Sequence, residues 1–219
     1  MTPPLPEPGT PLPEPAEGPS TGSGRGVSPE LVDGPHAWAR SWLPADDDPA
    51  RPLMTLATLG LDGGPSARTV LLSAVSEVGF RFHTDARSTK ARELAADDRV
   101  SLVIVLPERA QQLVVQGRAV PEAADESREA FGRRSAYLRH LAWVNDAEHA
   151  RLPDEERQQA WAVAVAETPD GPLDPPGTWC GYEVVPHRYV FWEGRADGAS
   201  HRTAFVRTAG GWSVDHLPG

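Results

Sequence analysis

A succession of short strand-like segments separated by tight turns constrains the fold of this chain more than any other feature. Residues 52–60 alternate apolar and polar side chains, and residues 100–106 are almost entirely apolar. Such patterns predict half-buried and fully buried strands respectively. Further strands are predicted at 67–75, 79–84, 111–120, 181–185, 188–193, 202–207 and 212–216. Many short strands of this kind favour a mainly β (α+β) fold built on an antiparallel barrel.

Helical patterns interrupt the strands at a few places. Residues 36–43 place Trp38 and Trp42 on one face of a short helix. Ser88 can cap a helix that ends near residue 96, because its hydroxyl can accept from a free amide of the first turn. Two further helices are predicted at 122–139 and 154–167, and a turn at 61–65. These helices are expected to flank the barrel.

The first 28 residues differ in composition from the rest of the chain. Proline recurs through residues 3–19, and a Ser/Thr/Gly stretch follows at residues 20–24. Proline removes backbone donors, so this region predicts a disordered, partly polyproline-like tail. An inert tail is favoured over a docking motif. Residues 29–219 are expected to form one domain.

Composition and charge exclude several classes of function. The chain has 219 residues, a net charge of −10 and a pI of about 5.1, which argues against binding to DNA or RNA through a basic surface. The single cysteine, Cys180, excludes an intrachain disulfide and a cysteine-based zinc site, and we expect a buried structural thiol there. The seven histidines show no metal-ligand spacing, so no metal site is expected.

The sequence also bears on location. No apolar run approaches the roughly 20 residues of a membrane span. The N-terminus lacks both the basic start and the apolar stretch of a secretion signal. We therefore expect no membrane partner and a cytoplasmic location.

Basic and hydroxyl side chains cluster where two predicted strands meet a helix. Residues 68–73 and 82–84 belong to those strands, and three cations, Arg87, Lys90 and Arg92, lie around the start of the helix. Cations are unfavourable at the positive end of a helix dipole unless an anion lies among them. The cluster therefore predicts a phosphate site. A solvated charged face remains the alternative at this point.

Several separated motifs, in this order and spacing, resemble the flavin-binding split barrel of the pyridoxamine 5′-phosphate oxidase family. The resemblance covers roughly residues 36–219 and implies an antiparallel FMN-binding split β-barrel that forms a homodimer, with FMN at the interface. The motifs that carry it are 54–58, 68–72, 79–84, 88–90, Gln111, Gln112, Gly181, Tyr182, 191–194 and Arg202.

The resemblance also implies roles for individual residues. Arg68 and Lys90 would grip the FMN phosphate with Thr84 nearby, and the backbone of residues 70–72 would follow the flavin edge. Gln112 would reach the ring system, and Trp192 and Arg202 would close the site from the other subunit. The whole implied cofactor set is Arg68, Thr69, Val70, Leu71, Leu72, Ser73, His83, Thr84, Thr89, Lys90, Gln112, Trp192 and Arg202.

The sequence departs from the family in the substrate pocket. The vitamin B6 enzymes carry lysine where this chain has Ser73. They also hold the substrate phosphate with tyrosine, arginine and serine, where this chain has Ala130, Arg134 and Leu138. Their Gln-Ser pair near the flavin is replaced by residues 147–148. A phosphate dianion left with one arginine in a closed pocket would be poorly neutralised. We therefore expect a substrate other than a vitamin B6 phosphate.

A late family motif with arginine and histidine is replaced by residues 198–202, of which Arg202 alone matches. His201 lies one residue from the family's histidine position, and a one-residue bulge would restore the histidine but displace Arg202. The residues left for weak substrate contacts are Ser73, Arg134, Ser200 and His201. No catalytic residue is assigned.

A second branch of the family, the flavin oxidases of phenazine biosynthesis, is closer in parts. Ser73 and residues 111–120 are similar to its sequence. The lead hypothesis is an FMN-dependent oxidase that takes hydride from a small heteroaromatic or dihydro-aromatic substrate, with dioxygen as acceptor, in natural-product biosynthesis. The alternatives are a pyridoxamine/pyridoxine 5′-phosphate oxidase, a non-catalytic flavin-binding homologue, and a flavin or deazaflavin reductase.

Overall fold

The computed structural model describes residues 34–46, 48 and 51–219. The tail predicted for residues 1–28 lies outside the described residues, as do positions 29–33 of the predicted domain. Five α-helices lie in the described part: α1 Gly34–Trp42, α2 Thr89–Ala96, α3 Ala124–Gly132, α4 Ala136–Val144 and α5 Asp154–Glu167. Short 3₁₀ turns occur at Pro107–Arg109 and His149–Arg151. None of the described helices has the length and apolar character required to cross a membrane.

The strands form one antiparallel, curled sheet in the order β2-β1-β5-β6-β7-β4-β3, and β8 and β9 extend from β7. Their bounds are β1 Leu53–Leu59, β2 Pro65–Leu71, β3 Ala74–Val75, β4 Phe80–Asp85, β5 Arg99–Leu106, β6 Gln111–Pro121, β7 Trp179–Glu193, β8 His201–Thr208 and β9 Gly211–Leu217. The predicted antiparallel split barrel with flanking helices is confirmed.

Strand β7 is where the barrel splits. One edge of β7 pairs with β6 along residues 182–193. The other edge pairs first with β4, through residues 179–184, and then with β8, through residues 188–193. Strands β4 and β8 therefore pair with successive segments of the same edge of β7. The sheet divides at this strand into one part that contains β4 and another that contains β8.

The core fills the concave side of the sheet. Every second residue of β1, β5 and β6 points inward, and Leu56, Leu102 and Leu113 are fully buried. This alternation is the two-residue period of a strand with one buried face. Helix α1 closes one end of the core, since Trp38 stacks on Phe191 with ring centroids 3.7 Å apart.

Two local predictions are confirmed in detail. The Ser88 hydroxyl caps α2 by accepting from Ala91 N at 3.3 Å. The turn at 61–65 is closed by a hydrogen bond from Gly60 N to Gly64 O at 2.7 Å. Gly63 has a φ of 83°, which favours glycine at that position.

The predicted strand 67–75 is wrong in its extent. Strand β2 ends at Leu71, and the two-residue β3 begins at Ala74. Between them Leu72 N donates to Pro52 O, while Ser73 N donates to Arg81 O at 2.8 Å. The chain therefore changes partners from the β1 side of the sheet to the β4 side. The apolar character of residues 70–72 does not indicate that the chain changes strand partners there.

The predicted helix 122–139 is also wrong, because the chain forms two helices there. Helix α3 ends at Gly132, and Ser135 begins α4 by accepting from Leu138 N at 3.4 Å. Glycine favours the end of a helix and serine the start of the next, and these local preferences override the continuous helical pattern.

The strands predicted at 181–185 and 188–193 are parts of the single strand β7. The register against β6 shifts between Gln116 and Gly117, where Gln116 faces Arg188 and Gly117 faces Pro186. His187 is therefore the extra residue of a β-bulge. Pro186 has no amide hydrogen to donate to the ladder, but it lies beside this bulge, where a proline is tolerated. The strand therefore continues through residues 186–187.

Candidate cofactor and substrate site

Lys90 lies in the first turn of α2 and faces the end of β4. Its ammonium donates to the Thr84 hydroxyl at 3.0 Å, and the Thr84 and Ser88 hydroxyls lie 3.3 Å apart. Within the described residues no carboxylate lies within ion-pair distance of Lys90. Burial lowers the pKa of Lys90, and the nearby positive charge of Arg68 lowers it further. A half-buried cation held beside another cation favours an anionic ligand.

Arg68 projects from β2 into a buried polar cluster. Its terminal nitrogens donate to the Glu93 carboxylate at 2.5 Å, the Thr58 hydroxyl at 2.6 Å and the Ser66 hydroxyl at 2.6 Å. One of them also lies 3.3 Å from Leu56 O. The Nε–H has no partner among the described residues. Arg68 can therefore offer a ligand one further donor, but not the two-pronged guanidinium fork.

Glu93 was not identified from the sequence. It is 3% exposed, and Ala91 and Leu94 of the same helix are also buried. Burial alone would raise the pKa of its carboxyl, but hydrogen bonds from Thr58 and Ser66 and the charge of Arg68 lower it below the ordinary value. The helical period does not mark Glu93, since it is two residues from Ala91 and one from Leu94 and therefore lies off the stripe that those two residues form.

The three cations around the start of α2 do not form one cluster. Arg87 pairs with Asp85 at 2.7 Å and with Asp146 at 3.0 Å. Arg92 is exposed and donates to the Thr89 hydroxyl. The expectation that all three face one anion is therefore wrong, because local carboxylates neutralise Arg87. Of these three cations, only Lys90 is half-buried and has no carboxylate within ion-pair distance in the described part of the chain.

A cavity of about 220 Å³ is lined on one side by Lys90, Thr84 and Ser88, and on the other by helix α4 and residues 176–179. Arg134 lies in its wall, with the guanidinium 4.7 Å above the ring of Trp179. Burial lowers the pKa of Arg134 to about 10, and no described carboxylate pairs with it. Apolar side chains complete much of the wall: Leu138, Leu141, Ala142, Pro176 and part of Trp179.

Ser73 and His83 contact each other at the corner between β2 and β3. The Ser73 hydroxyl lies 2.9 Å from His83 Nδ1. On the other side of the ring, His83 Nε2 lies 2.9 Å from a carboxylate oxygen of Glu122, and both of these side chains are 2% exposed. Nε2 has no hydrogen-bond partner with good geometry among the described residues, so this is a close electrostatic contact. The imidazole stacks on Trp179 with an interplanar angle of 2°. Neither Glu122 nor Trp179 was predicted to lie at the site, because the fold brings them in from distant segments.

Gln112, Trp192 and Arg202 form one row across three adjacent strands. Gln112 is opposite Trp192 in the β6–β7 ladder, and Trp192 is opposite Arg202 in the β7–β8 ladder. Arg202 Nε is buried and has no hydrogen-bond partner in the part of the chain that the structure describes. The structure thus brings these three predicted residues together. It places them on different strands from those that carry Arg68 and Lys90.

The remaining predicted residues lie at the periphery of this arrangement. Thr69, Thr89 and His201 are exposed, and Ser200 is half-buried in the loop before β8. The β7–β8 register is continuous from Glu193–His201 onward, without the bulge that would move His201 into the family's histidine position. The backbone of residues 70–72 forms the end of β2 and the start of the corner between β2 and β3.

The outward face of the sheet carries apolar side chains next to the Gln112 row. Leu53 and Val105 are 64% and 54% exposed, and both belong to strands that neighbour each other. Val103, Val114 and Val190 lie half-buried on the same outward face. An apolar surface of this extent is typical of a protein–protein interface.

No cluster of three or more potential metal ligands occurs in residues 34–46, 48 and 51–219. Cys180 lies half-buried in β7, and its thiol is directed to Thr84 O. Burial raises the pKa of the Cys180 thiol to about 11. The thiol is therefore protonated at neutral pH, as the predicted structural role requires.

Comparison with known proteins identifies the family. Residues 47–169 match the family model of pyridoxamine 5′-phosphate oxidase, and residues 179–218 match the pyridoxine 5′-phosphate oxidase C-terminal dimerisation region. A pyridoxine/pyridoxamine 5′-phosphate oxidase of Burkholderia multivorans is 37% identical over 75% of this chain and 78% of its own length. The corresponding protein of Thermobifida fusca is 32% identical over 88% of this chain and 90% of its own length.

Solved structures agree with this match. PhzG from Burkholderia lata, crystallised with tetrahydrophenazine-1-carboxylic acid, superposes with a TM-score of 0.73 at 25% identity, over 90% of this chain and all of its own. A pyridoxamine 5′-phosphate oxidase-related, FMN-binding protein of Nostoc punctiforme shares the fold with a TM-score of 0.66 at 18% identity, over 89% of this chain and all of its own. The chain belongs to the pyridoxamine 5′-phosphate oxidase family.

Proposed function

We propose that this chain is an FMN-dependent oxidase that acts in the cytoplasm, as a homodimer, on a small and partly reduced aromatic acid. The observation that carries the proposal is Lys90. Its half-buried ammonium lies beside Arg68 and two hydroxyl groups, and no described carboxylate neutralises it. A phosphate monoester would provide the missing negative charge.

The residues present fit FMN in two places. Lys90, the Arg68 Nε–H and the hydroxyls of Thr84 and Ser88 would hold the phosphate. Gln112, Trp192 and Arg202 would lie against the ring system, and the orphaned Arg202 Nε supports this because it needs an acceptor. Bound FMN would supply a two-electron acceptor that dioxygen reoxidises to give hydrogen peroxide. The Arg202 guanidinium would stabilise negative charge that develops on the ring.

A second subunit would complete this site. The matched dimerisation region, residues 179–218, contains both Trp192 and Arg202. Because Gln112 shares their row, it would enter the partner's site together with them. The exposed apolar face around Leu53 and Val105 would be covered in the same contact. Burial of that face would stabilise the dimer through the hydrophobic effect.

The cavity beside Lys90 supports a carboxylated aromatic substrate. Arg134 is a half-buried cation in its wall, while Leu138, Leu141 and Ala142 provide apolar surface for a flat ring. One arginine matches the single charge of a carboxylate better than the double charge of a phosphate. PhzG, which was solved with a tetrahydrophenazine carboxylic acid, supports the same class of substrate.

The names of the curated relatives favour a second candidate, oxidation of pyridoxine or pyridoxamine 5′-phosphate. That reaction requires neutralisation of the substrate phosphate. The corresponding positions of the vitamin B6 enzymes are Ser73, Ala130, Arg134 and Leu138 here, and of these four Arg134 alone carries a charge. One arginine leaves the double charge of a phosphate incompletely neutralised. We therefore rank this candidate second.

The test is anaerobic reduction of the FMN-loaded protein by candidate substrates. The decrease in flavin absorbance near 450 nm measures the reduction. We expect a yellow protein that tetrahydrophenazine-1-carboxylic acid bleaches rapidly and pyridoxamine 5′-phosphate bleaches slowly. Arg134→Met should raise the KM for the acid about 10- to 100-fold, because a charge-assisted hydrogen bond contributes roughly 1.5–3 kcal/mol. Arg133→Met is the matched control, since Arg133 is exposed and pairs with Glu129.

Other results would favour the other hypotheses. Equal bleaching by both compounds would support the vitamin B6 reaction, and rapid bleaching by reduced nicotinamide alone would support a reductase. A yellow protein that no compound bleaches would support a non-catalytic flavin-binding protein. A colourless protein that ignores added FMN would contradict the whole proposal.

A further inference from the structure

Ser73, His83 and Glu122 form a chain of polar groups that runs from the protein surface to its interior. Ser73 is half-buried, whereas the side chains of His83 and Glu122 are almost fully enclosed. The Ser73 hydroxyl contacts His83 Nδ1 at 2.9 Å, and Glu122 lies 2.9 Å from Nε2. The imidazole also forms part of the wall of the Arg134 cavity. One end of the chain is therefore accessible and the other end is closed.

The direction of the hydrogen bond between Ser73 and His83 follows from the charge of Glu122. Burial opposes ionisation of this carboxyl, but the contacts with His83, Ser127 and Arg81 lower its pKa below the ordinary value. A carboxylate beside Nε2 keeps the proton of a neutral imidazole on that nitrogen. Nδ1 then carries the lone pair, so the Ser73 hydroxyl must donate to it. The lone pairs of the Ser73 oxygen remain available to a donor on a ligand.

Charged, polar and aromatic side chains from neighbouring elements surround this chain of polar groups. Arg81 of β4 lies 3.4 Å from the second oxygen of Glu122 and pairs with Glu126 and Glu183. From β7, Trp179 stacks on the imidazole, and Arg134 lies on Trp179. Ser127 of α3 donates to Glu122 at 3.1 Å. Arg81 provides one positive charge among three carboxylates, and its proximity stabilises the ionised form of Glu122.

Packing alone does not explain a buried histidine and carboxylate. Replacement of buried ionic groups by apolar side chains of similar volume is often neutral or stabilising. The chain nevertheless makes room for Glu122, because a Cβ at Gly181 would lie 1.9 Å from its carboxylate oxygen. Ser73 is not arranged as a nucleophile, since its own amide donates to Arg81 O and cannot serve an oxyanion.

We propose that Ser73, His83 and Glu122 are a proton relay that accepts the proton released when the substrate is oxidised. This rests on the proposed function. A substrate C–H bond breaks, and the hydride goes to the flavin. A substrate N–H or O–H bond breaks, and its electron pair stays in the new double bond. That proton passes to the Ser73 oxygen while the Ser73 proton moves to His83 Nδ1, and Glu122 stabilises the imidazolium. Reduction of dioxygen to hydrogen peroxide later consumes the proton.

The first test is the tautomer of His83, measured by long-range ¹H–¹⁵N NMR of the histidine-labelled holoprotein. We expect an Nε2–H tautomer whose Nδ1 resonance moves downfield in Ser73→Ala, because the lost hydroxyl no longer donates to it. Glu122→Gln should produce a mixture of tautomers. Ser213→Ala, an exposed serine of β9, is the matched control. An Nδ1–H tautomer, or an Nδ1 resonance that Ser73→Ala does not move, would overturn the relay.

The second test is the pH profile of anaerobic reduction by tetrahydrophenazine-1-carboxylic acid at saturating FMN. The relay predicts a wild-type rate that falls in acid, because an imidazole that already carries both protons cannot accept another. His83→Gln should lose this acid limb and react about 100-fold more slowly, as expected for loss of a general base. Added imidazole should restore part of the rate in His83→Ala. His187→Gln, at the exposed bulge, should retain the wild-type profile.

The outcomes separate the relay from the function on which it rests. Loss of stability in His83→Gln with an unchanged pH profile would show a purely structural histidine and overturn the relay alone. A wild-type protein that takes up no FMN, or that no compound reduces, would overturn the proposed function, and the relay would fail with it because no acceptor remains.

Discussion

Two buried carboxylates, Glu93 and Glu122, organise the polar side chains of the site. Glu93 holds Arg68 at 2.5 Å, and Glu122 lies 2.9 Å from His83. In both places a lowered pKa keeps the carboxylate charged despite burial. Each carboxylate orients a side chain that the sequence analysis had already placed at the site. The acidic residues thus determine which donors of Arg68 and which nitrogen of His83 remain available.

Gly181 should be sensitive to even the smallest side chain. A Cβ there would lie 1.9 Å from Glu122 and 2.8 Å from the Ser127 hydroxyl, so Gly181→Ala must displace the buried carboxylate. We expect a loss of about 1–3 kcal/mol in the free energy of unfolding, measured by urea denaturation. Gly177→Ala is the control, because nothing lies within 4 Å of a Cβ at that exposed position. Equal stability of the two variants would show that the cluster relaxes freely.

Lys90 should contribute more to FMN binding than its neighbour Arg92. Lys90→Met removes a half-buried cation, and the Kd for FMN should rise about 10- to 100-fold for the loss of one charge-assisted contact. Arg92→Met removes an equal charge from the exposed side of the same helix and should change the Kd less than threefold. Fluorescence titration of the apoprotein measures both. Similar losses in the two variants would indicate that only the net charge attracts the ligand.

Among the elements, helix α2 is joined to the first two strands by one polar cluster. Glu93 lies in α2, Thr58 in β1, and Ser66 and Arg68 in β2. The short helix therefore depends on a buried ion pair as well as on Ala91 and Leu94. Removal of one partner from such a pair leaves an uncompensated buried charge, which is strongly destabilising.

This cluster should make stability depend on pH. The pKa of Glu93 is lowered in the folded protein, so its contribution is complete above the unfolded value of about 4.5 and is lost as the pH falls through the folded value. Glu93→Gln should be less stable than the wild type near pH 6, and the difference should shrink toward about pH 3. Urea midpoints across this range measure it. Glu129→Gln, in the exposed part of α3, should follow the wild-type curve.

At the scale of the whole molecule, the split in the sheet separates two groups of residues that the resemblance assigns to one cofactor. Arg68 and Lys90 belong to the early strands and α2, whereas Gln112, Trp192 and Arg202 form a row across β6, β7 and β8. The apolar outward face next to that row remains exposed in one subunit. Assembly of two copies would cover the face and bring the two groups together, which is why we place the cofactor site between subunits.

Leu53→Glu should therefore weaken both the dimer and cofactor binding. Leu53 is 64% exposed in the single chain, so the change costs little within one subunit but places a charge on the apolar face. Analytical ultracentrifugation should show a shift to monomer, and the FMN content should fall with it. Leu61→Glu is the control, since Leu61 is similarly exposed in the β1–β2 turn. A dimer that Leu53→Glu leaves intact would place the interface elsewhere.

Much of the fold could be predicted from the sequence, because its signals are local. Alternation in β1, the Ser88 cap and the Gly63 turn each depend on residues within a few positions of one another. Errors occurred where the chain changes partners. The corner at Leu72 and the bulge at His187 depend on which strands pair with the chain at these positions. Residues nearby in the sequence do not indicate those partners.

The sequence by itself determined the fold class, the family resemblance and the identity of the cationic and aromatic residues of the site. Only the tertiary structure decided which of those residues are free to bind a ligand. It paired Arg87 with Asp85 and Asp146, and it occupied most donors of Arg68 with Glu93 and neighbouring oxygens. Lys90 is left with no counter-ion among the described residues. The physical reason is that the effective charge of a side chain depends on its burial and its partners, and distant segments supply both.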